Sequence, residues 1–282
     1  MTLRISNKMN IEFWGVRGTF PVSGRDNMKY GGHTPCALIK IAGKEQIIVD
    51  AGTGISSLGN KLIKEVGNGP LKLHILLTHF HLDHIMGLPF FPPLYSPAVS
   101  MIFYTAVSAA EAEAYLSGLM GGKYFPVGFK ETPSRKIFRK IPEGSFNIGE
   151  VEISSHPLRH PQGSVAYRLK HNGETIIFAT DTEHPEKGID KGLASFCSNA
   201  STLVYDAAFT PEEYKAGKVG WGHSTWFEGT KLAHKAGVEN LYLSHFNPFH
   251  SDKQIDKIVF LARERFPKTY AAREESWQLK EF

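Results

Sequence analysis

Thr78-His79-Phe80-His81-Leu82-Asp83-His84 is the stretch on which the reading of this chain turns. It follows Leu71 to Leu77, a run that is apolar apart from Lys72 and His74 and ends in three consecutive apolar residues. That pattern predicts a strand covered on both faces. An abrupt change from a covered strand to polar, metal-competent residues marks the place where α/β proteins put ligand loops. Side chains two residues apart share a face of extended chain, so His79 and His81 can aim together. Asp83 and His84 lie beyond, at a strand-to-helix turn, where they can serve a second ion. Imidazole and carboxylate donors without cysteine suit Zn, Mn or Fe rather than a thiolate-rich structural zinc.

Working outward, Ile11 to Trp14, Cys36 to Ile41 and Gln46 to Val49 read as strands, the last two joined by a turn through Gly43. Asp50-Ala51-Gly52-Thr53-Gly54 closes the third strand, and a helix is expected over Ile55 to Val66. Beyond the ligand run, Pro89 to Pro97 reads as a rigid loop, Met101 to Tyr104 as a strand and Ser108 to Leu119 as a helix. Gly121 to Pro133 is loop-like. Short strands follow at Ile137 to Lys140, Val151 to Ser155, Val165 to Leu169, Thr175 to Ala179, Thr202 to Tyr205 and Leu241 to Leu243. Thr225 with Glu228, and Ser251 with Gln254, have capping-box spacing ahead of helices reaching about Ala236 and Arg265. His160, Asp181 and His245 each fall just past one of these strands. If the strands share a sheet edge, their C-terminal ends bring the three together.

Bulk properties limit the function classes. The 282 residues, 41% hydrophobic and 21% charged, belong to an ordinary globular protein with a substantial core. A formal charge of +4 is small, and the densest basic run, Arg135 to Lys140, reads as a solvated strand edge rather than a nucleic-acid patch. Cys36 and Cys197 sit among apolar residues and read as buried thiols. The stretch Met1 to Asn10 is polar and carries neither a signal nor a membrane span, so a cytoplasmic protein with no membrane partner is expected.

Thr78 to His84, with His160, Asp181 and His245, resembles the metallo-β-lactamase superfamily over nearly the whole chain. Phe13-Trp14-Gly15-Val16-Arg17-Gly18, Tyr30-Gly31-Gly32-His33-Thr34-Pro35-Cys36, Asp50 to Gly54 and Thr180-Asp181-Thr182-Glu183-His184 resemble its phosphodiesterase-like members near ribonuclease Z and the cyclic-phosphate hydrolases. The resemblance implies a single α/β domain over residues 1–282, a four-layer αββα sandwich. It implies two divalent ions, Zn first and Mn or Fe as alternatives. His79, His81 and His160 would hold one ion, Asp83, His84 and His245 the other, with Asp181 bridging. An aspartate rather than a cysteine at position 181 points away from an antibiotic-hydrolysing enzyme. Asp50 would support the metal loop from behind. Family members usually carry Asn where this chain has His33, so that imidazole becomes a candidate substrate contact. A homodimer follows by family analogy.

His223, in Gly222-His223-Ser224-Thr225, resembles the histidine that ribonuclease Z relatives place beside the departing oxygen, and Asp206 is the upstream acid matched to it. With Asp83 these are the expected catalytic residues of a metal-assisted phosphodiester hydrolysis. Between Leu88 and Lys136, aromatics that include Phe91 and Tyr124 could rim a substrate site or simply cover the sheet. The chain has no long Gly-rich basic insertion of the sort that grips transfer RNA. A cyclic nucleotide, cyclic phosphate or short nucleic acid is therefore the expected substrate. Three alternatives stay open: hydrolysis of a lactone or thioester, a metal-bearing nucleotide-binding or sensory module without turnover, and redox chemistry at an iron pair.

Overall fold

The computed structural model describes residues 9–41, 46–67 and 69–275. Two sheets and seven helices are found among the described residues, and the chain divides into two compact units, Met1–Gly15 with His33–Glu143 and Val16–Gly32 with Gly144–Phe282.

The first unit carries β1 (Asn10–Gly15), β2 (Cys36–Lys40), β3 (Gln46–Val49), α1 (Ile55–Val66), β4 (Leu71–Leu76), α2 (Leu82–Ile85), β5 (Val99–Thr105), α3 (Ala109–Leu119) and β6 (Arg135–Lys140). Its six strands lie in chain order, antiparallel from β1 to β3 and parallel from β3 to β6. Parallel strands need crossovers, and α1 and α3 supply two of them. Helix α1 buries Ile55, Leu58, Gly59 and Leu62, a stripe at helical spacing. Ile55, Leu58 and Leu62 join Leu38, Ile48, Leu73, Ile75 and Phe103 in the core, each large side chain contributing roughly 1.5–3 kcal/mol. The basic strand β6 forms a sheet edge, as its charges led us to expect. Because β3 and β4 are parallel neighbours, their C-terminal ends set Asp50 beside Thr78.

The second unit carries β7 (Ser145–Ile148), β8 (Val151–Leu158), β9 (Ser164–His171), β10 (Glu174–Ala179), α4 (Lys191–Phe196), β11 (Thr202–Asp206), α5 (Pro211–Lys215), α6 (Trp226–Ala236), β12 (Asn240–Ser244), α7 (Asp252–Arg265) and β13 (Thr269–Ala271). The sheet order is β13-β12-β11-β10-β9-β8-β7. Strands β10 to β13 are parallel, while β9 is antiparallel to both β8 and β10. Strands β8, β10, β11 and β12 therefore run the same way, so His160, Asp181, Asp206 and His245 emerge at one edge.

Several expectations change. Phe91 is fully buried, with its ring against α1 where a Cβ on Gly59 would meet it at 2.6 Å. It is a core residue and is withdrawn as a substrate contact. The run Pro89 to Pro97 is two tight 3-10 turns, Leu88–Phe90 and Pro92–Tyr95. Strands β7 and β13 and helices α4 and α5, too short to show a periodicity, were not anticipated. Ser251 and Gln254 form a full capping box. Thr225 caps α6, but the Glu228 carboxylate turns to Lys231 at 2.8 Å instead of closing a box. Strands β2 and β3 pair as expected; their turn through Gly43, like most of the N-terminal stretch, lies outside the described residues. Cys36 and Cys197 are buried free thiols. No helix among the described residues is long and apolar enough to cross a membrane.

Candidate functional site

Each unit presents a cluster of histidines and carboxylates. In the first, His81 is extended and immediately precedes α2, so the chain turns into a helix between His81 and Asp83. The turn crowds the rings together: His79 lies edge-on to His81 at 4.4 Å and tilted against His84 at 4.3 Å, centroid to centroid.

Asp50 organises this loop. It is 2% exposed, and its Oδ1 accepts the Thr78 amide at 2.9 Å while its Oδ2 lies 2.8 Å from His84 Nδ1. The Thr78 hydroxyl also reaches Asp50, at 3.0 Å, and lies 3.1 Å from His79 Nδ1. When the hydroxyl donates to the carboxylate, its oxygen accepts from His79 Nδ1. Nε2 is then the nitrogen that His79 and His84 would each offer to an ion, the arrangement by which partners behind a ligand fix its tautomer. His84 Nε2 lies 3.5 Å from Asp83 Oδ2. Two donors on one tetrahedral ion stand about 3.4 Å apart at ordinary metal–ligand lengths, so this pair fits an ion.

In the second unit Asp181, Asp206, His223 and His245 each offer one ligand atom, and these atoms lie within 4.8 Å of one another. Asp181 Oδ1 is 3.2 Å from His245 Nε2, a spacing that a shared cation satisfies, and 4.0 Å from His160 Nε2, wider than the tetrahedral separation. His160 Nδ1 donates to the Gly222 carbonyl at 2.8 Å, so Nε2 is the nitrogen that would be offered to an ion. The His223 ring stacks on His245 at 4.9 Å and meets His160 edge-on at 5.2 Å.

Asp206 is the hub of this cluster and is fully buried. One oxygen accepts the Asp181 amide at 2.9 Å and lies 3.0 Å from His223 Nδ1; the other accepts the amides of Ala208 and Ser224. The same carboxylate thus fixes the backbone of one candidate ligand and the ring of the candidate proton donor. His223 Nε2 is left as the nitrogen for exchange with a substrate.

Three site residues at strand ends occupy left-handed backbone without being glycine: Asp50 at φ 60°, Asp181 at φ 59° and His245 at φ 57°. Such conformations cost of order 1–3 kcal/mol each and persist where the surroundings over-determine them. Two close approaches show how tightly the second cluster is held. A Cβ on Gly18 would lie 2.3 Å from the His245 ring, and one on Gly222 would lie 2.4 Å from His160 Nδ1. Gly18 is placed by the bridge between Arg17 and Phe246. Arg17, fully buried, donates to the carbonyls of Gly31 and His250 at 2.8 and 2.6 Å. The Arg17-Gly18 end of the Phe13 to Gly18 motif thereby acquires a reason within the second unit.

Sequence reasoning gave no role to Thr78, Gly18, Gly222 or Glu183. Glu183 accepts from the Tyr214 hydroxyl at 2.6 Å and from the amides of Gly220 and Gly222 at 2.7 and 3.0 Å, clamping the loop that delivers His223. Burial pushes its carboxyl up, but these hydrogen bonds outweigh burial and hold it below the ordinary carboxylate range. Its place two residues after Asp181 was the available signal. His33 turns toward Thr53, its Nδ1 lying 3.1 Å from the threonine hydroxyl, and burial lowers its pKa. Tyr124 is 88% exposed and remains available to a ligand.

A family profile described as "Beta-lactamase superfamily domain" matches residues 45–246. The chain is 21% identical to a ribonuclease Z of Prochlorococcus marinus (strain MIT 9515), covering 94% of this chain and 98% of that one. In three dimensions it resembles the metallo-beta-lactamase fold protein YhfI of Bacillus subtilis, with a TM-score of 0.69, 21% identity and coverage of 94% and 96% of the two chains. It also resembles the short form of human tRNase Z, with a TM-score of 0.65, 17% identity and coverage of 95% and 97%. At these identities the structural likeness speaks for the fold, while the profile match over most of the sequence places the chain in the beta-lactamase superfamily domain family.

Proposed function

We propose that this chain is a dinuclear metal-dependent hydrolase that cleaves phosphodiesters, acting on a cyclic nucleotide, a cyclic phosphate or a short nucleic acid. The relatives bearing the name ribonuclease Z support the reaction class, and the family supports the metal requirement. In this reading residues 1–282 work as one domain. His79, His81 and His160 would hold one ion, Asp83, His84 and His245 the other, and Asp181 would be shared by both. Zinc is the first choice for both, with Mn or Fe as alternatives. A cytoplasmic location and a homodimer complete the proposal.

One observation carries the reading furthest: His223 is tethered through Nδ1 to Asp206 at 3.0 Å, in the same cluster as Asp181 and His245. Metal or nucleotide binding alone needs no oriented proton donor.

When bound, the ions supply Lewis acidity at the phosphoryl oxygens and make a water acidic enough to attack near neutral pH. The chain does the rest. Asp50 and Thr78 keep the Nε2 atoms of His79 and His84 aimed as ligands. Gly222 does the same for His160 through its carbonyl. His223 carries a proton on Nε2 and gives it to the departing alkoxide oxygen. Asp206 stabilises the imidazolium before transfer and holds the ring in place afterwards.

The test is a rate comparison among bis-para-nitrophenyl phosphate, cyclic nucleotides, a lactone and a thioester, using metal-replete protein. Preference for the phosphodiesters is expected. Preference for the lactone or thioester would replace the reaction class while leaving the metal assignments in place.

A further inference from the structure

The loop between α5 and His223 exposes Trp221, 55% accessible, two residues before the histidine. Lys218 Nζ lies 3.7 Å from the centre of the Trp221 ring and 5.8 Å from that of Phe209. Phe209 in turn meets Trp221 edge-on at 6.5 Å and His223 at 6.0 Å. An exposed indole and its ammonium therefore sit beside the candidate proton donor within one unit, backed by the buried Phe209 ring.

The loop is not a slack tip that happens to carry a tryptophan. Glu183 anchors it on both sides of Trp221, at the amides of Gly220 and Gly222, and a Tyr214 hydroxyl bond fixes the carboxylate. Holding a large apolar ring in water is unfavourable by itself. An ammonium resting on an indole face is attracted by the ring quadrupole, yet gains more from an anion. Every nucleobase offers a π-face, and stacking on an exposed aromatic is the common way to hold one.

We propose that Trp221 and Lys218 form a specificity subsite for the nucleoside next to the scissile phosphate. The indole stacks the base, and the Lys218 ammonium leaves the ring for a phosphate oxygen as the base arrives. This rests on the phosphodiesterase reading and deepens it by naming a nucleotide as the substrate class.

The experiment compares a cyclic adenine nucleotide with the matching base-free ribose cyclic phosphate, using metal-replete full-length protein and its Trp221→Ala, Trp221→Phe and Lys218→Ala variants. Trp221→Ala is expected to raise KM for the nucleotide about tenfold, the scale of one lost stacking contact, with kcat nearly unchanged. KM for the base-free substrate should stay put, Trp221→Phe should recover most of the nucleotide affinity, and Lys218→Ala should raise KM for both substrates. Equal effects of Trp221→Ala on both substrates, or none on either, overturn the subsite. Adenosine monophosphate titrated against intrinsic fluorescence gives a readout independent of turnover, with quenching expected in the wild type and lost in Trp221→Phe. Quenching without hydrolysis of either substrate would reject the phosphodiesterase reading and keep the subsite; absence of quenching rejects the subsite whatever the turnover.

Discussion

The first unit gathers four candidate ligands into six consecutive residues, His79 to His84, behind which stands one carboxylate, Asp50. The second collects His160, Asp181 and His245 from the ends of β8, β10 and β12 and needs a different support for each: the Gly222 carbonyl, Asp206, and the close approach of Gly18. A contiguous loop can be ordered by a single buried acid because its donors share one turn of chain. Dispersed donors depend on the register of a sheet, so their supports are spread over glycines and backbone groups.

That contrast can be broken by mutation, and the largest effect is expected at Asp181, the dispersed residue that the proposed reading shares between both ions. Asp181→Ala should lower metal content below two ions per chain and bring phosphodiesterase turnover close to background; full metal content by elemental analysis with normal turnover would remove Asp181 from the site. His223→Ala separates chemistry from metal binding. Turnover should fall by about 10²–10⁴-fold, the usual contribution of a positioned acid, with metal content unchanged. Asp50→Ala tests whether one acid orders the contiguous loop. Metal affinity measured against a chelator should weaken by about 10–100-fold, as for other partners behind metal ligands, and a change confined to thermal stability would deny Asp50 that role.

The smallest effect belongs to an outer support of the second unit. Glu213 lies 2.8 Å from His250 Nε2, and the His250 carbonyl receives Arg17. Burial pushes the Glu213 carboxyl up, but the Thr210 amide and His250 outweigh burial and set it below its ordinary value of 4.5. A depressed carboxyl stabilises the fold above that ordinary value, and the contribution is lost as pH falls through the lowered one. With its side chain 37% exposed, solvent screening keeps the contribution to about 0.5–1 kcal/mol. Urea unfolding of Glu213→Gln should show a loss of that size at neutral pH that closes toward zero in acid. A loss independent of pH would mean that the carboxylate charge is not what stabilises.

The same contrast governs how much could be read without coordinates. His79 to His84 was legible because a covered strand turning abruptly polar is a local signal, and the two-sheet, mixed α/β architecture followed from the order of strands and helices together with the family resemblance. The spacing of His160, Asp181 and His245 says nothing by itself about proximity; the common direction of β8, β10 and β12 supplies the reason they share an edge. Left-handed backbone at Asp50, Asp181 and His245 suits their residue types, since Asp and His are enriched there, but both types are commoner in ordinary backbone, so the conformation is not legible in the sequence. Phe91 misled because an aromatic in a proline-rich run looks the same whether it faces solvent or, as here, packs on α1. Helices α4 and α5, six and five residues long, are shorter than two turns and show no amphipathic period.

Anomalous diffraction at the metal edge from crystals of the metal-replete protein is the most direct test of paired ions as the centre of this chemistry. The expected result is two peaks about 3.5–4 Å apart, joined by the Asp181 carboxylate, with His160 on one ion and His245 on the other. A single peak, or a pair of ions with Asp181 outside both coordination spheres, would contradict it.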